Sequence, residues 1–276
     1  MTIAKLNDTK LFYDKYGSGS PFLIMHGGLG ADHSYFRPVL DSLGETLQLI
    51  YYDHRGHGRS ERCKSSRITF EQLADDANAL RKTLGYEKIG IIGHSAGGSV
   101  ALNYALRHQE HLSYLILLDT TPAFDNMEEM MEIIQRRNPK KEILTTLNEP
   151  TPLSEKEFKN QFKIIQPLYF SDFTNEIESL INNMIEKMIM VPELNVRSDE
   201  LFETYDVSSQ LKNIEIPTLI LVGKDDFICP PSQAQRLNDN IPNSELYIFE
   251  KSGHYPFYEE PDNFFKVIRD WFKKVK

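Results

Sequence analysis

Seven short apolar runs punctuate the chain, at positions 11–16, 22–25, 47–53, 88–92, 114–119, 218–222 and 245–249. Several are almost wholly apolar: FLIM, IGII, LILL and TLILV. Strands covered by helices on both faces read this way, whereas half-exposed strands alternate. Between the runs the period changes. Phe70, Leu73, Ala77, Leu80 and Leu84 recur at helical spacing and stop at Gly85, which predicts a helix over 70–84. Similar patterns predict helices over 98–107 and 262–272. Strand and helix signals in alternation predict an α/β fold with a mainly parallel sheet.

Residues 122–210 break the rhythm. They read as charged, Met-rich helices chopped by prolines, with no buried strand. The prediction is a helical cap inserted between two sheet strands, over a core of 1–121 and 211–276. The insertion holds seventeen Asp and Glu against nine Lys and Arg, so nearly all of the chain's net charge of -9 sits there.

Length and composition narrow the classes. A chain of 276 residues can bury a core without staples. Its acidic balance repels phosphate backbones, which argues against nucleic acid. No apolar run approaches the roughly 20 residues that span a bilayer. The opening MTIAKLNDTKLFYDKYG lacks an apolar h-region, so no secretory signal is expected. Cys63 and Cys229 are too few for a disulfide framework or a Cys-based zinc site. No metal is expected, and a reducing, cytoplasmic compartment is. Oligomeric state is not encoded in these patterns.

The sharpest motif is Gly93-His94-Ser95-Ala96-Gly97, between the strand KIGII and the helix GSVALNYALR. It reads as a nucleophile elbow, a tight strand-to-helix turn that lifts a serine hydroxyl above the sheet. Flanking glycines remove Cβ atoms that would clash there. A serine hydroxyl needs a base, most often histidine. Of eight histidines, His254 fits best, in a short loop after the last strand, on the same sheet edge as the elbow. His94 should point away and pack. His54 and His57, in DHRGHGRS, read as structural hydrogen bonders, and His108 and His111 as solvated. The acid that orients the base is best matched by Asp226, after TLILV, with Asp225 and Asp119 as rivals. The order Ser95, Asp226, His254 is that of α/β-hydrolase triads. Negative charge on an attacked carbonyl oxygen needs fixed N–H donors. Ala96 and Gly28, the latter in HGGLG at 26–30, are the candidates for that oxyanion hole.

These stretches together resemble the α/β-hydrolase superfamily: HGGLG at 26–30, DHRGHGRS at 53–60, GHSAGG at 93–98, GKDDFICP at 223–230 and SGH at 252–254. The resemblance implies an eight-stranded, mostly parallel sheet flanked by helices, an inserted helical cap and no cofactor. It implies Ser95 as nucleophile, Asp226 as acid and His254 as base. The superfamily's acid-loop pattern, Gly then Asp three residues later and Pro four further on, favours Asp226 over Asp225.

A serine at position 95 disfavours dehalogenase and epoxide hydrolase chemistry, which uses aspartate there. The expected activity is hydrolysis of a small carboxylic ester, thioester or lactone, with a small acyl molecule as partner. The alternative is proline iminopeptidase-like aminopeptidase activity. The chain is similar to those enzymes but carries Leu29 where they have proline. Glu128, Glu129 and Glu132 are candidates to hold a cationic α-amino group, against the plainer account of a solvated helix face. Phe158, Phe162, Tyr169, Phe170, Phe173 and the methionines at 127, 130, 131, 184, 188 and 190 could line an acyl pocket or pack the cap. A non-catalytic receptor on the same fold is the remaining alternative.

Overall fold

The computed structural model describes residues 2–6 and 8–275. Eight strands form one sheet: β1 (Thr2–Lys5), β2 (Lys10–Gly17), β3 (Ser20–Met25), β4 (Leu47–Tyr52), β5 (Ile89–His94), β6 (Leu112–Leu118), β7 (Thr218–Gly223) and β8 (Ser244–Phe249). Their order is β1-β2-β4-β3-β5-β6-β7-β8. β2 runs antiparallel to β1 and β4, and all other pairs are parallel. Seven of these strands are the apolar runs. β1 escaped that pattern because only Ala4 of its four residues is buried.

Burial follows position in the sheet. Central β5 and β7 are buried at every residue, while edge strand β8 alternates. Period-two alternation sends Leu23 and Met25 to one face and Phe22 and Ile24 to the other. The first face packs α1 (Phe70–Thr83) and α2 (Ala96–His108). The second packs the last helix through Phe264, Ile268 and Trp271.

Between β6 and β7 run five helices: α3 (Met127–Arg137), α4 (Lys141–Leu147), α5 (Glu155–Ile165), α6 (Asn175–Lys187) and α7 (Pro192–Thr204). α8 (Pro231–Asn240) joins β7 to β8, and α9 (Pro256–Glu259) and α10 (Pro261–Val275) end the chain. Ile181 and Ile185 of α6 enter the second core face. The HGGLG turn meets the stretch between α6 and α7, where Val191 N–H donates to Gly30 O at 2.7 Å. Ile189 N–H donates to Asp32 Oδ2 at 3.0 Å. Strand order reverses about β3, whose neighbours are β4 and β5. In open α/β sheets the crevice at the carboxyl ends of such strands is the place for a ligand. No helix among the described residues is long and apolar enough to cross a membrane.

Candidate active site

Ser95 alone joins β5 to α2, at φ 56° and ψ -126°. Positive φ strains a non-glycine residue by about 1–3 kcal/mol, so its surroundings must hold it. Ser95 N–H donates to Leu118 O at 3.0 Å. Thr120 Oγ1 donates to Ser95 O at 2.8 Å. The turn closes only with glycine beside it: a Cβ on Gly97 would lie 2.2 Å from Met25 O. The N-terminus of α2 then directs its positive dipole end at the site.

His254 lies between β8 and α9, with Nδ1 at 2.7 Å from Asp226 Oδ2. Asp226 is fully buried, and its Oδ1 accepts from Ile228 N–H at 2.9 Å and Cys229 N–H at 3.1 Å. Its Oδ2 is thereby left for the imidazole. A carboxylate can only accept, so Nδ1 carries the ring proton and Nε2 keeps the lone pair. Asp225 turns elsewhere, and its Oδ2 accepts from Ser171 Oγ at 2.5 Å. Asp119 is buried at φ 45°, and its Oδ1 accepts from Gly223 N–H at 2.8 Å. Burial and the neighbouring Asp226 push the Asp119 pKa well above the usual carboxylate range.

Ser95, His254, Ala96 and Gly28 line one cavity of about 670 Å³. Gly28 sits at φ 56°, in the turn after β3. The adjacent Gly27 abuts Ser95, since a Cβ there would lie 2.8 Å from Ser95 Cβ.

Two residues link these parts without a sequence signal. Gly27 N–H donates to Tyr35 Oη at 2.6 Å, and Tyr35 Oη lies 2.8 Å from His94 Nδ1. His94 Nε2 lies 3.0 Å from His254 O. A carbonyl can only accept, so Nε2 donates, Nδ1 accepts and the Tyr35 hydroxyl proton points at His94. Burial and nearby His254 push the His94 pKa well below its ordinary value, so this ring stays neutral. His94 does pack, but it also holds the main chain of His254.

His54 and His57 are structural. His54 N–H donates to His26 Nε2 at 3.1 Å, and His57 Nδ1 donates to Arg55 O at 2.7 Å. Burial lowers the pKa of His26, His54 and His57.

The helices of 122–210 supply the outer cavity wall, with Phe158, Phe162, Tyr169, Met184, Met188 and Met190 on its lining. Met127 also lines it, whereas Met131 is exposed. Phe170 instead packs on Phe173 and Tyr255, with ring centroids at 5.5 and 5.2 Å. Glu128 and Glu132 are exposed and away from the lining, and Glu129 accepts from Ser232 Oγ at 2.6 Å. The lining carboxylates are Glu149, Asp199 and Glu203, all exposed at the mouth. Among the described lining residues there is no Lys or Arg. Cys229 is buried in the wall, and burial with Asp226 pushes its thiol pKa well up, so it stays protonated.

A family model described as the alpha/beta hydrolase fold matches residues 20–261. A proline iminopeptidase, PfmaB of Pestalotiopsis fici, is 30% identical, covering 98% of each chain. An esterase from Exiguobacterium antarcticum superposes with a TM-score of 0.80 at 25% identity, covering 99% of each chain. A thermophilic esterase from Thermogutta terrifontis gives 0.78 at 27% identity, over 100% of this chain and 99% of that one. The chain therefore belongs to the alpha/beta hydrolase fold family, and it is a hydrolase.

Proposed function

We propose that this protein is a serine hydrolase that cleaves a small carboxylic ester, thioester or lactone through an acyl-enzyme on Ser95. The observation that carries the reading is the 2.7 Å contact of His254 Nδ1 with Asp226 Oδ2, on a histidine that shares its cavity with Ser95. His254 Nε2 takes the Ser95 proton as Oγ attacks the carbonyl carbon. Backbone N–H groups of Gly28 and Ala96 stabilise the oxyanion, each worth roughly 3 kcal/mol. Collapse expels the leaving group, which takes the proton from His254. A water then gives its proton to His254 and attacks the acyl carbon, and the acid leaves as Ser95 Oγ takes that proton back from His254. Asp226 holds the productive tautomer throughout. Residues 122–210 act as a cap whose Phe and Met side chains receive the acyl group. Two free cysteines fit a reducing, cytoplasmic compartment.

A second reading, release of an N-terminal residue from a peptide, has its own support. Glu149, Asp199 and Glu203 rim the mouth without a basic neighbour on the lining, which favours a cationic amino group over an anionic substrate. The test sets a short-chain p-nitrophenyl ester beside a proline p-nitroanilide. Ester turnover with little anilide turnover is expected, and the reverse selects the second reading. Ser95→Ala should abolish both, together with fluorophosphonate labelling. Persistent labelling or turnover removes Ser95 from the mechanism.

A further inference from the structure

The cap segment 166–173, between α5 and α6, lies across the loops that carry Asp226 and His254. Tyr169 O accepts from His254 N–H at 2.7 Å. Arg137 of α3 donates to Leu168 O at 2.6 Å and to Asp225 O at 3.3 Å, and it also bonds Phe170 O. One carboxylate joins the two sides. Glu259, the last residue of α9, accepts through Oε1 from Ser171 N–H at 2.7 Å and Asp172 N–H at 3.4 Å. Its Oε2 accepts from Gly253 N–H at 2.6 Å, immediately before His254. Glu259 does not itself line the cavity.

We propose that Glu259 is a positioning residue for the reaction assigned to Ser95, holding the histidine loop and the cap segment in one register so that His254 meets its partners. The inference rests on that reading of the site.

An ionised carboxylate is an acceptor only, which matches three N–H donors. A protonated one presents its O–H to a donor, so one of the two sides must let go. Several charged groups face Glu259. Arg137 on α3 favours its ionised form. Asp119, just after β6, opposes it, Asp225 shares Ser171 with it, and His254 lies one residue beyond the Gly253 contact. Burial dominates and pushes the Glu259 pKa up to about 7. As pH falls, Glu259 gains a proton and one side of the bridge lets go. That protonation lowers the rate, so it adds one proton to the acid limb.

The experiment follows the second-order rate of Ser95 labelling by a fluorophosphonate, and kcat/KM for a short-chain p-nitrophenyl ester, between about pH 5 and 9. The wild-type log rate should fall on acidification more steeply than that of a variant with no titratable group at 259. Glu259→Gln keeps the shape and cannot titrate. Its slope should be shallower than wild type by about one, and its rate at alkaline pH should drop on the order of tenfold, because an amide N–H₂ faces a backbone donor. Glu259→Asp keeps the charge but reaches only one side. It should lose a similar factor and keep the steep limb, which serves if the glutamine variant fails to fold. Lower melting temperature with an unchanged limb marks a merely structural role and overturns the proposal. A limb of equal slope in wild type and Glu259→Gln does the same. Turnover by Ser95→Ala sinks the nucleophile reading, and the proposal with it, whereas a silent Ser95→Ala beside an unchanged limb sinks the proposal alone.

Discussion

At the scale of single residues, the site is assembled by groups that have one hydrogen-bonding option each. Asp226 gives Oδ1 to two backbone donors and Oδ2 to His254, so the imidazole has one tautomer available. Asp226→Asn presents an amide that supports the wrong tautomer and should lower kcat by about 10⁴. Asp225→Asn keeps an acceptor for Ser171 and should stay within a few-fold. Steady-state kinetics of the two variants decides between them, and the opposite ranking would move the acid to Asp225. The Tyr35 hydroxyl is equally constrained. Tyr35→Phe strands Gly27 N–H and His94 Nδ1, at a cost of about 1–3 kcal/mol in urea unfolding. Because Gly27 carries the turn that holds Gly28, kcat should fall on the order of tenfold as well. Unchanged kcat would confine the Tyr35 relay to stability. The placement of Ser95, Asp226 and His254 after strand ends was legible because each sits in a short local pattern there. Tyr35 and His94 were not, because their bonds span 59 and 160 positions and no local spacing encodes such a meeting.

At the scale of elements, the buried strands announced themselves through composition, and β1 and helices α3 to α7 marked where that signal stops. A strand with one buried residue has no hydrophobic pattern to read. In α3 to α7 the helical period identifies an apolar face but not the surface it meets. Phe170 and Phe162 are alike in sequence, yet one fills the core and the other lines the cavity. The acidic residues mislead for the same reason. Glu128 and Glu132 on α3 point to solvent, while Asp199 and Glu203, one turn apart on α7, reach the mouth. Burial and the neighbouring Glu203 raise the Asp199 pKa. If the mouth selects charge, Asp199→Asn and Glu203→Gln should each raise KM for an amine-bearing substrate about two- to five-fold at low salt, as expected for exposed pairs. KM for a neutral ester should not move. Equal shifts for both substrates would assign these carboxylates to shape rather than charge.

At the scale of the whole molecule, buried ionisable groups tie stability to pH, and two sets act in opposite senses. His54, His57 and His94 have folded pKa values held below their unfolded value, and that of His57 is about 3. As pH falls below about 6.5, the unfolded chain takes up protons that the folded chain refuses, so these histidines remove stability. His26 adds to them. Glu259 and Asp119 are raised. Between about pH 7 and 4.5 the folded chain binds the Glu259 proton first and gains stability as pH falls, and Asp119 acts in the same sense. Below about pH 6 the buried histidines outnumber these two carboxyls, so acidification removes stability on balance. Below about pH 4.5 the unfolded carboxylates protonate too, the offset ends and the slope steepens. Urea midpoints measured at pH 6, 5.5 and 5 should therefore fall from each to the next. His57→Gln removes one buried ring that resists protonation and should flatten the decline. A midpoint that holds level or rises on acidification would mean that the carboxyls prevail, or that water reaches the His26–His54–His57 cluster.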